Sequence, residues 1–352
     1  MKDQKLLFVS SAIQQPRHQR RIRILHQEFD VRLLYYKRSM YANNIQIPDC
    51  EARCLGAIYD TRFSTLSRLF HLVKLFIVLL IRTERLIYTT SPDQAFVGIL
   101  AGKDVFVEYG DIQALSRGSG IYQCLDRWII SKARGIVVTS PYYIDGYFAK
   151  FGSYRKDKFY VLENKVPLQT GMEYRHAPLQ KRSSSEFIRV GLIGALGRPN
   201  IYNLLKKVLD ENPNFIIEVF GDGNLGDLQN HHRCHMHGAF KNPDDLLKIY
   251  NTIDVNLILY ENSDMNVQLA LPNKLYESIL FQKPIVCTSR TSLEQVVCEL
   301  RIGFATSLSV DDIGQTIHRV AVTDWSHSWK NIAFERFVSD NEQVINWIKQ
   351  RV

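Results

Sequence analysis

Short, nearly continuous apolar runs recur along this 352-residue chain, each followed by a longer amphipathic stretch. That alternation limits the fold more than any other feature. In the first half the runs are KLLFVS, VRLLYY, RLIYTT, DVFVEYG and GIVVTS, with helical periodicity over residues 17–28, 64–82 and 121–133 and from Pro92 onward. The second half repeats the pattern with FIRVGLIGA, FIIEVFGDG, CHMHGAF, DVNLILY and PIVCTS, a helix after each of the first four and further helices to the end. Strands that are apolar on both faces need helices on both faces of their sheet, so two α/β domains with parallel sheets are predicted. The length suits two domains of roughly 150 residues each.

The predicted domains span 1–165 and 188–335. Between them residues 166–187 are polar, Ser-rich and without either period, which reads as a linker and hinge. The end, 336–352, reads as a helix that either caps the second domain or crosses back to the first. There is no short-period repeat.

Composition removes several classes. With 45% apolar and 23% charged residues the chain is not a disordered one. Six cysteines without a C-x-x-C pair point to a reduced, cytoplasmic setting. The opening MKDQKLLFVSS is expected to be a core strand and not a signal peptide. The net charge of +8 is unevenly placed: residues 1–165 hold 25 Lys+Arg against 15 Asp+Glu, and the remainder 19 against 21. The basic half is expected to meet something anionic, although solubility alone would also account for it.

Ligands of such sheets bind beyond the carboxyl ends of the strands, so the loops there carry the functional reading. In GLIGALGRPN (191–200), Gly194 and Gly197 let backbone approach a phosphate, a helix begins near Pro199, and Arg198 can pair with phosphate oxygens. In LPNKLYESILFQKPIV (271–286), Pro272 starts a helix, placing Asn273 and Lys274 beside free backbone donors and Lys274 and Glu277 on one face. Lysine can neutralise a diphosphate and the carboxylate can accept ribose hydroxyls; the plain alternative is a surface ion pair.

Three other stretches need a reading. PRHQRR (16–21) offers Arg17, His18, Arg20 and Arg21 for an acidic or pyrophosphate-bearing acceptor, or is a solvated helix face. LSRLFHLVKLFIVLLIR (66–82) has an uncharged run, Leu75–Ile81, far short of the roughly 20 residues that span a bilayer, leaving a sheet-packing or an interfacial helix. HHRCHMH (231–237) is not expected to bind a metal, because neighbouring residues of a strand point to opposite faces.

From Gly191–Gly194 through VFGDG, HGAF, DDLLKIYNTIDVNLILY, LPNKLYESILFQKPIV and GFAT, the second half resembles the donor domain of GT-B-fold glycosyltransferases of the family 4, or group 1, class. The first half resembles their acceptor domain through SSAIQQPRHQRR, VEYGDI and ARGIVVTS…KFYVLEN. The resemblance implies two Rossmann-like, doubly wound parallel-sheet domains facing across a cleft that closes about the linker. It implies donor binding by Gly194, Gly197, Arg198, Tyr260, Asn273, Lys274 and Glu277, with Glu277 on the ribose and Lys274 and Arg198 near the diphosphate. The family's E-x7-E pair lacks its first glutamate, since position 269 is Leu269, so a retaining outcome is not implied. Inverting glucuronosyltransferases of xanthan-type assembly share a PRR-like segment, a strand–Asp element matching Asp111 and a lysine matching Lys274.

An inverting transfer needs a general base. Asp111 is the candidate and Glu108 the second choice, with a turn aspartate and a buried structural glutamate as the plain readings. No Asp-x-Asp occurs, so a metal-free mechanism is expected, with no cofactor beyond a nucleotide sugar and a UDP-sugar favoured over a GDP-sugar. The expected protein is a hexosyl- or glycuronosyltransferase extending a lipid-linked or polymeric glycan of a bacterial capsule, exopolysaccharide or O-antigen. It would sit at the cytoplasmic face of an anionic membrane and would not bind nucleic acid. The rivals are a GT-B-fold sugar-nucleotide epimerase and a non-catalytic basic binding protein; a dehydrogenase would need G-x-G-x-x-G where this chain has SSAIQQPR.

Overall fold

The computed structural model describes residues 4–38, 49–58, 64–117, 120–178, 186–194, 196–339 and 341–352. The chain divides into two compact units, Met1–Glu163 with Asp340–Val352, and Asn164–Ser339. The first unit runs β1 (Lys5–Ser10), α1 (Pro16–His26), β2 (Asp30–Arg38), β3 (Ala52–Ile58), α2 (Ser64–Ile81), β4 (Leu86–Thr89), α3 (Pro92–Leu100), β5 (Asp104–Tyr109), α4 (Gln113–Arg117), α5 (Gly120–Lys132), β6 (Gly135–Val138), α6 (Tyr142–Gly146) and β7 (Phe159–Val161). The second runs β8 (Val166–Pro167), α7 (Leu168–Tyr174), β9 (Ile188–Ile193), α8 (Pro199–Glu211), β10 (Phe215–Phe220), β11 (Cys234–Met236), α9 (Leu246–Thr252), β12 (Val255–Ile258), α10 (Met265–Leu269), α11 (Asn273–Leu280), β13 (Ile285–Thr288), α12 (Ser292–Leu300), β14 (Gly303–Thr306), α13 (Val310–Val322), α14 (Ser326–Lys330) and β15 (Val338–Ser339). A closing helix, α15 (Asn341–Lys349), returns to the first unit.

Both main sheets are parallel. The first has the order β3-β2-β1-β4-β5-β6-β7 and the second β11-β10-β9-β12-β13-β14. The apolar runs become strands buried along their length, as in Leu6–Ser10 and Val105–Tyr109. In each sheet the order reverses at the first strand, because β1 pairs with β2 and β4, and β9 with β10 and β12. Connections leave to opposite faces on the two sides of such a strand, which opens a crevice at its carboxyl end.

The first core gathers Phe8, Leu33, Tyr88 and Phe106 with Val344, Ile345 and Ile348 of α15. Trp347 meets the Phe106 ring edge-on, with centroids 5.5 Å apart. A side chain at Gly135 would overlap the Trp347 ring, so the close approach of α15 needs glycine there. Lys349 pairs with Glu28 at 2.7 Å. The second core is built from Val190, Leu205, Val219, Leu257 and Ile317 among others.

Four features depart from the sequence reading. β3 was not predicted, because ARCLGAI is an edge strand, largely exposed at its start, and carries no apolar run. The expected linker holds a strand and a helix: β8 pairs with β15, and α7 buries Thr170, Gly171 and Tyr174. Its polar composition hides this, because only one side of a single short helix is covered. Residues 179–185, including most of the serine run, lie outside the described residues. A 3-10 turn, Gly226–Asn230, replaces the helix expected between β10 and β11, and α10 arises unpredicted behind an Asp264 side chain that accepts from the Asn266 N–H at 2.8 Å.

Ile348 is fully buried in the first core although it lies in α15. Ile348→Ala is expected to cost about 2–4 kcal/mol. Hydrogen exchange read peptide by peptide should show protection falling in β5 and β6 and unchanged in β9 and β12; equal loss in both sheets would contradict the assignment of α15.

Candidate functional site

In the second unit the residues at the carboxyl ends of β9 and β12 meet the start of α11. Gly194 closes β9 with φ +102°, and a side chain there would lie 3.1 Å from Lys274 Cε. The lysine therefore lies against bare backbone. A side chain at Gly221, which follows β10, would overlap the Gly194 carbonyl, so the two strand ends pass close together. The Arg198 guanidinium stacks on the Tyr260 ring at 4.1 Å, and Lys274 Nζ stands 5.8 Å from the same ring. Gly194, Arg198, Tyr260 and Lys274 thus converge at the crevice, with Asn273 at the first position of α11, whose Pro272 cap offers no side-chain acceptor. The opening N–H groups of a helix have no partner within it.

Lys274 and Glu277 do not pair with each other, although their spacing allows it. Glu277 is buried, with Oε1 accepting from Asn242 Nδ2 at 2.9 Å and Oε2 from the Tyr250 hydroxyl at 3.0 Å. Burial and the Glu277 charge push the Tyr250 phenol well above its usual range, so it stays a donor. Among the described residues the Lys274 ammonium has neither an ion pair nor a hydrogen bond. The two charges are held apart, and only Glu277 is fixed by hydrogen bonds among the described residues. Gly197 behaves differently from expectation, because its N–H donates to the Tyr202 hydroxyl at 2.7 Å and so anchors the loop.

The first unit has a matching crevice, a pocket of about 140 Å³ lined by Ser11, Arg17, Arg38, Thr90, Gln94 and Asp111 among others. Beneath it lies Glu108, whose Oε2 accepts from Arg21 Nε at 3.0 Å and from the Tyr88 hydroxyl at 2.6 Å. Arg17 Nε stands 3.6 Å from Oε1. Burial pushes the Glu108 carboxyl up, but Arg21 and Arg17 outweigh it and hold it below the usual carboxylate range. A carboxylate so clamped is a weakened base and anchors the arginines. Asp111 follows Gly110 at the rim, exposed. A side chain at Gly110 would overlap the Arg17 guanidinium, so glycine is required for Arg17 to reach the pocket.

The four PRHQRR residues separate. Arg17 lines the pocket; Arg21 turns inward to Glu108 and the Leu162 carbonyl at 2.9 Å. Arg20 is half-buried and is not among the lining residues. His18 is buried and Nδ1 lies 2.9 Å from the Ser10 hydroxyl. Burial, helped by Arg17, brings its pKa down to about 3. Composition alone could not separate these roles, since only the α1 register decides which side chains turn inward. Asn242, Tyr250, Arg38 and Gln94 were missed, having no motif of their own, although Tyr250 falls within the DDLLKIYNTIDVNLILY match. In HHRCHMH, His235 and His237 both reach Glu218, at 3.3 and 2.7 Å, while Cys234 is buried. Among the described residues no group of three His, Cys, Asp or Glu is placed to hold a metal.

No family model matches the sequence. No curated protein matches it either. Solved structures do match along nearly the whole chain. Sucrose-phosphate synthase from Thermosynechococcus elongatus is 12% identical over 99% of this chain and 96% of its own, with a TM-score of 0.66. The lipopolysaccharide outer core galactosyltransferase WaaB is 13% identical over 99% and 100%, with a TM-score of 0.68. Anabaena HepE in complex with UDP and glucose is 15% identical over 99% and 98%, with a TM-score of 0.67. The fold is GT-B. Each unit of this GT-B chain is one Rossmann-like sheet, and each crevice described above lies at the order reversal of its own sheet.

A buried neutral histidine titrates only when the chain unfolds. Since the folded pKa of His18 lies near 3 and the free value near 6.5, the unfolded chain binds the proton first. Stability is then full above pH 6.5 and lost as the pH falls toward 3, by roughly 3 kcal/mol between pH 7 and 4. Urea midpoints at pH 7, 5 and 4 should show that loss, and His18→Gln should remove most of it; an unchanged slope in the variant would assign it elsewhere.

Proposed function

We propose that this GT-B chain is a metal-independent glycosyltransferase that moves a sugar from a UDP-sugar to a glycan acceptor. The observation that carries the reading is the unpaired Lys274 ammonium lying against Gly194, beside Arg198 and the open start of α11. Three positive features converge where a diphosphate would sit, and Glu277 is fixed one turn further along. Nucleotide binding by HepE, seen with UDP and with UDP-glucose, supports a uridine donor.

Lys274 and Arg198 stabilise the diphosphate as it takes up charge when the glycosidic bond to the donor breaks. Glu277, its outer lone pairs still able to accept, holds the ribose hydroxyls while Asn242 and Tyr250 keep it in place. Asp111 accepts the proton of the attacking acceptor hydroxyl, and Arg17, braced by Glu108, orients the acceptor with His18 and Arg21 supporting the loop from below. The donor and acceptor machinery thus lie on separate units, so the hinge and closure belong to this proposal too. The acceptor is a lipid-linked or polymeric glycan of a bacterial surface polysaccharide, and the protein works peripherally at the inner face of the membrane. WaaB and WaaG, both described as glycosyltransferases of lipopolysaccharide, favour that setting.

UDP at about a hundred times its dissociation constant should stabilise the wild type by about 2.7 kcal/mol in a thermal-shift experiment. Lys274→Ala should weaken UDP binding by about tenfold or more, the loss of one charge-assisted contact. A wild type indifferent to UDP, GDP, dTDP, CMP and ADP alike would remove the donor reading. Asp111→Asn should lower the transfer rate by about 10²–10⁴-fold with UDP affinity unchanged. Donor turnover with no acceptor present, at a rate that Asp111→Asn leaves alone, would indicate an epimerase instead.

A further inference from the structure

Helix α2 has two sides: one is buried against the first unit and, toward the helix start, lines the pocket, and the other faces outward. Leu75, Val78 and Leu79 are buried in the first unit. Arg68, His71 and Leu72 line the pocket. Leu69, Phe70, Val73, Ile77, Leu80 and Ile81 are exposed, each between 51% and 74%. At 3.6 residues per turn these six fall within an arc of about 120°, running as one strip along the helix. Exposed apolar residues are ordinary singly; a continuous strip of six marks an interaction surface.

Its chemistry selects the occupant. The helix has no acidic residue from Ser64 to Ile81. Lys74, exposed on the border of the strip, donates to the Leu55 carbonyl at 2.7 Å. Arg82 follows immediately, with Arg85 beyond it, its side chain 80% exposed. These pair with Glu51, Glu84 and Asp104, yet residues 1–165 as a whole carry 25 basic against 15 acidic side chains. No helix among the described residues is long and apolar enough to cross a membrane. An apolar strip with a basic border, too short to span, suits the headgroup layer of an anionic bilayer.

We propose that α2 lies in the plane of an anionic lipid surface, with Leu69, Phe70, Val73, Ile77, Leu80 and Ile81 inserted between headgroups. The opposite side of the same helix walls the pocket with Arg68, His71 and Leu72, so docking holds the pocket one helix diameter, roughly 10 Å, from the lipid. This deepens the transferase reading, on which its second half rests: the acceptor is lipid-anchored, its polar head entering the pocket from the membrane surface and its chains staying in the bilayer. Gln94 Oε1, buried beside the pocket without a hydrogen-bond partner, is an acceptor waiting for such a hydroxyl-bearing head.

The test is flotation of the whole protein with vesicles of phosphatidylcholine alone and with added phosphatidylglycerol. Wild type should float with the anionic vesicles, less so with the neutral ones, and less so again in high salt. The triple variant Phe70→Ser, Ile77→Ser, Ile81→Ser should bind the anionic vesicles at least about tenfold more weakly, with its circular dichroism and its thermal shift with UDP unchanged. A wild type that stays with neither vesicle, or a variant that floats as well as the wild type, overturns the proposal. So does a wild-type dimer in sedimentation equilibrium that the variant abolishes, which would assign the strip to a second copy. Because UDP binding is read separately, loss of lipid binding alone leaves the donor site standing, and absence of a UDP shift leaves the lipid surface standing.

Discussion

Parallel pairing about one central strand governs what this chain can do. β1 and β9 each carry neighbours whose connections leave in opposite directions, so each must leave a gap at its carboxyl end. The clusters described above stand at those gaps: Gly194, Arg198, Tyr260 and Lys274 at one, Arg17, Asp111, Arg38 and Gln94 at the other. Backbone ends at the second site pass so closely that glycine alone fits, at Gly221 against Gly194, and at the first site the Arg17 guanidinium lies against Gly110.

The two gaps manage charge in the same way. Each has one buried carboxylate held in place: Glu108 by Arg21, Tyr88 and Arg17, Glu277 by Asn242 and Tyr250. A buried carboxylate needs such partners to remain ionised. Once fixed, it positions its neighbours, so Arg17 is presented to the first pocket. Lys274 faces the Tyr260 ring in the second and, among the described residues, has no ion pair or hydrogen bond.

The sequence made the repeated sheets, the positions of most strands and the donor-side cluster legible, because apolar runs and glycine-punctuated turns are local signals. Arg198, Tyr260, Asn273 and Lys274 come together where the strand ends predict. What it concealed depends on tertiary placement. An edge strand with half its surface in water, β3, has no run to find, and a helix of seven residues such as α7 is too short for its period to show. Nor could the three arginines and one histidine of PRHQRR reveal that Arg21 and His18 are buried while Arg17 stays partly open. That Glu108 is buried and Asp111 exposed is likewise a matter of tertiary placement, which a single strand's sequence does not state.

The return of α15 to the first unit also orders the protein's assembly during synthesis. Residues 164–339 form a unit whose sheet and core need nothing made later. The first unit, although begun first, lacks Val344, Ile345 and Ile348 until those residues have left the ribosome. Throughout translation of the second half, the apolar side of its sheet that α15 will cover is therefore open. The half that is made first is finished last, and in that interval its uncovered apolar surface is open to aggregation.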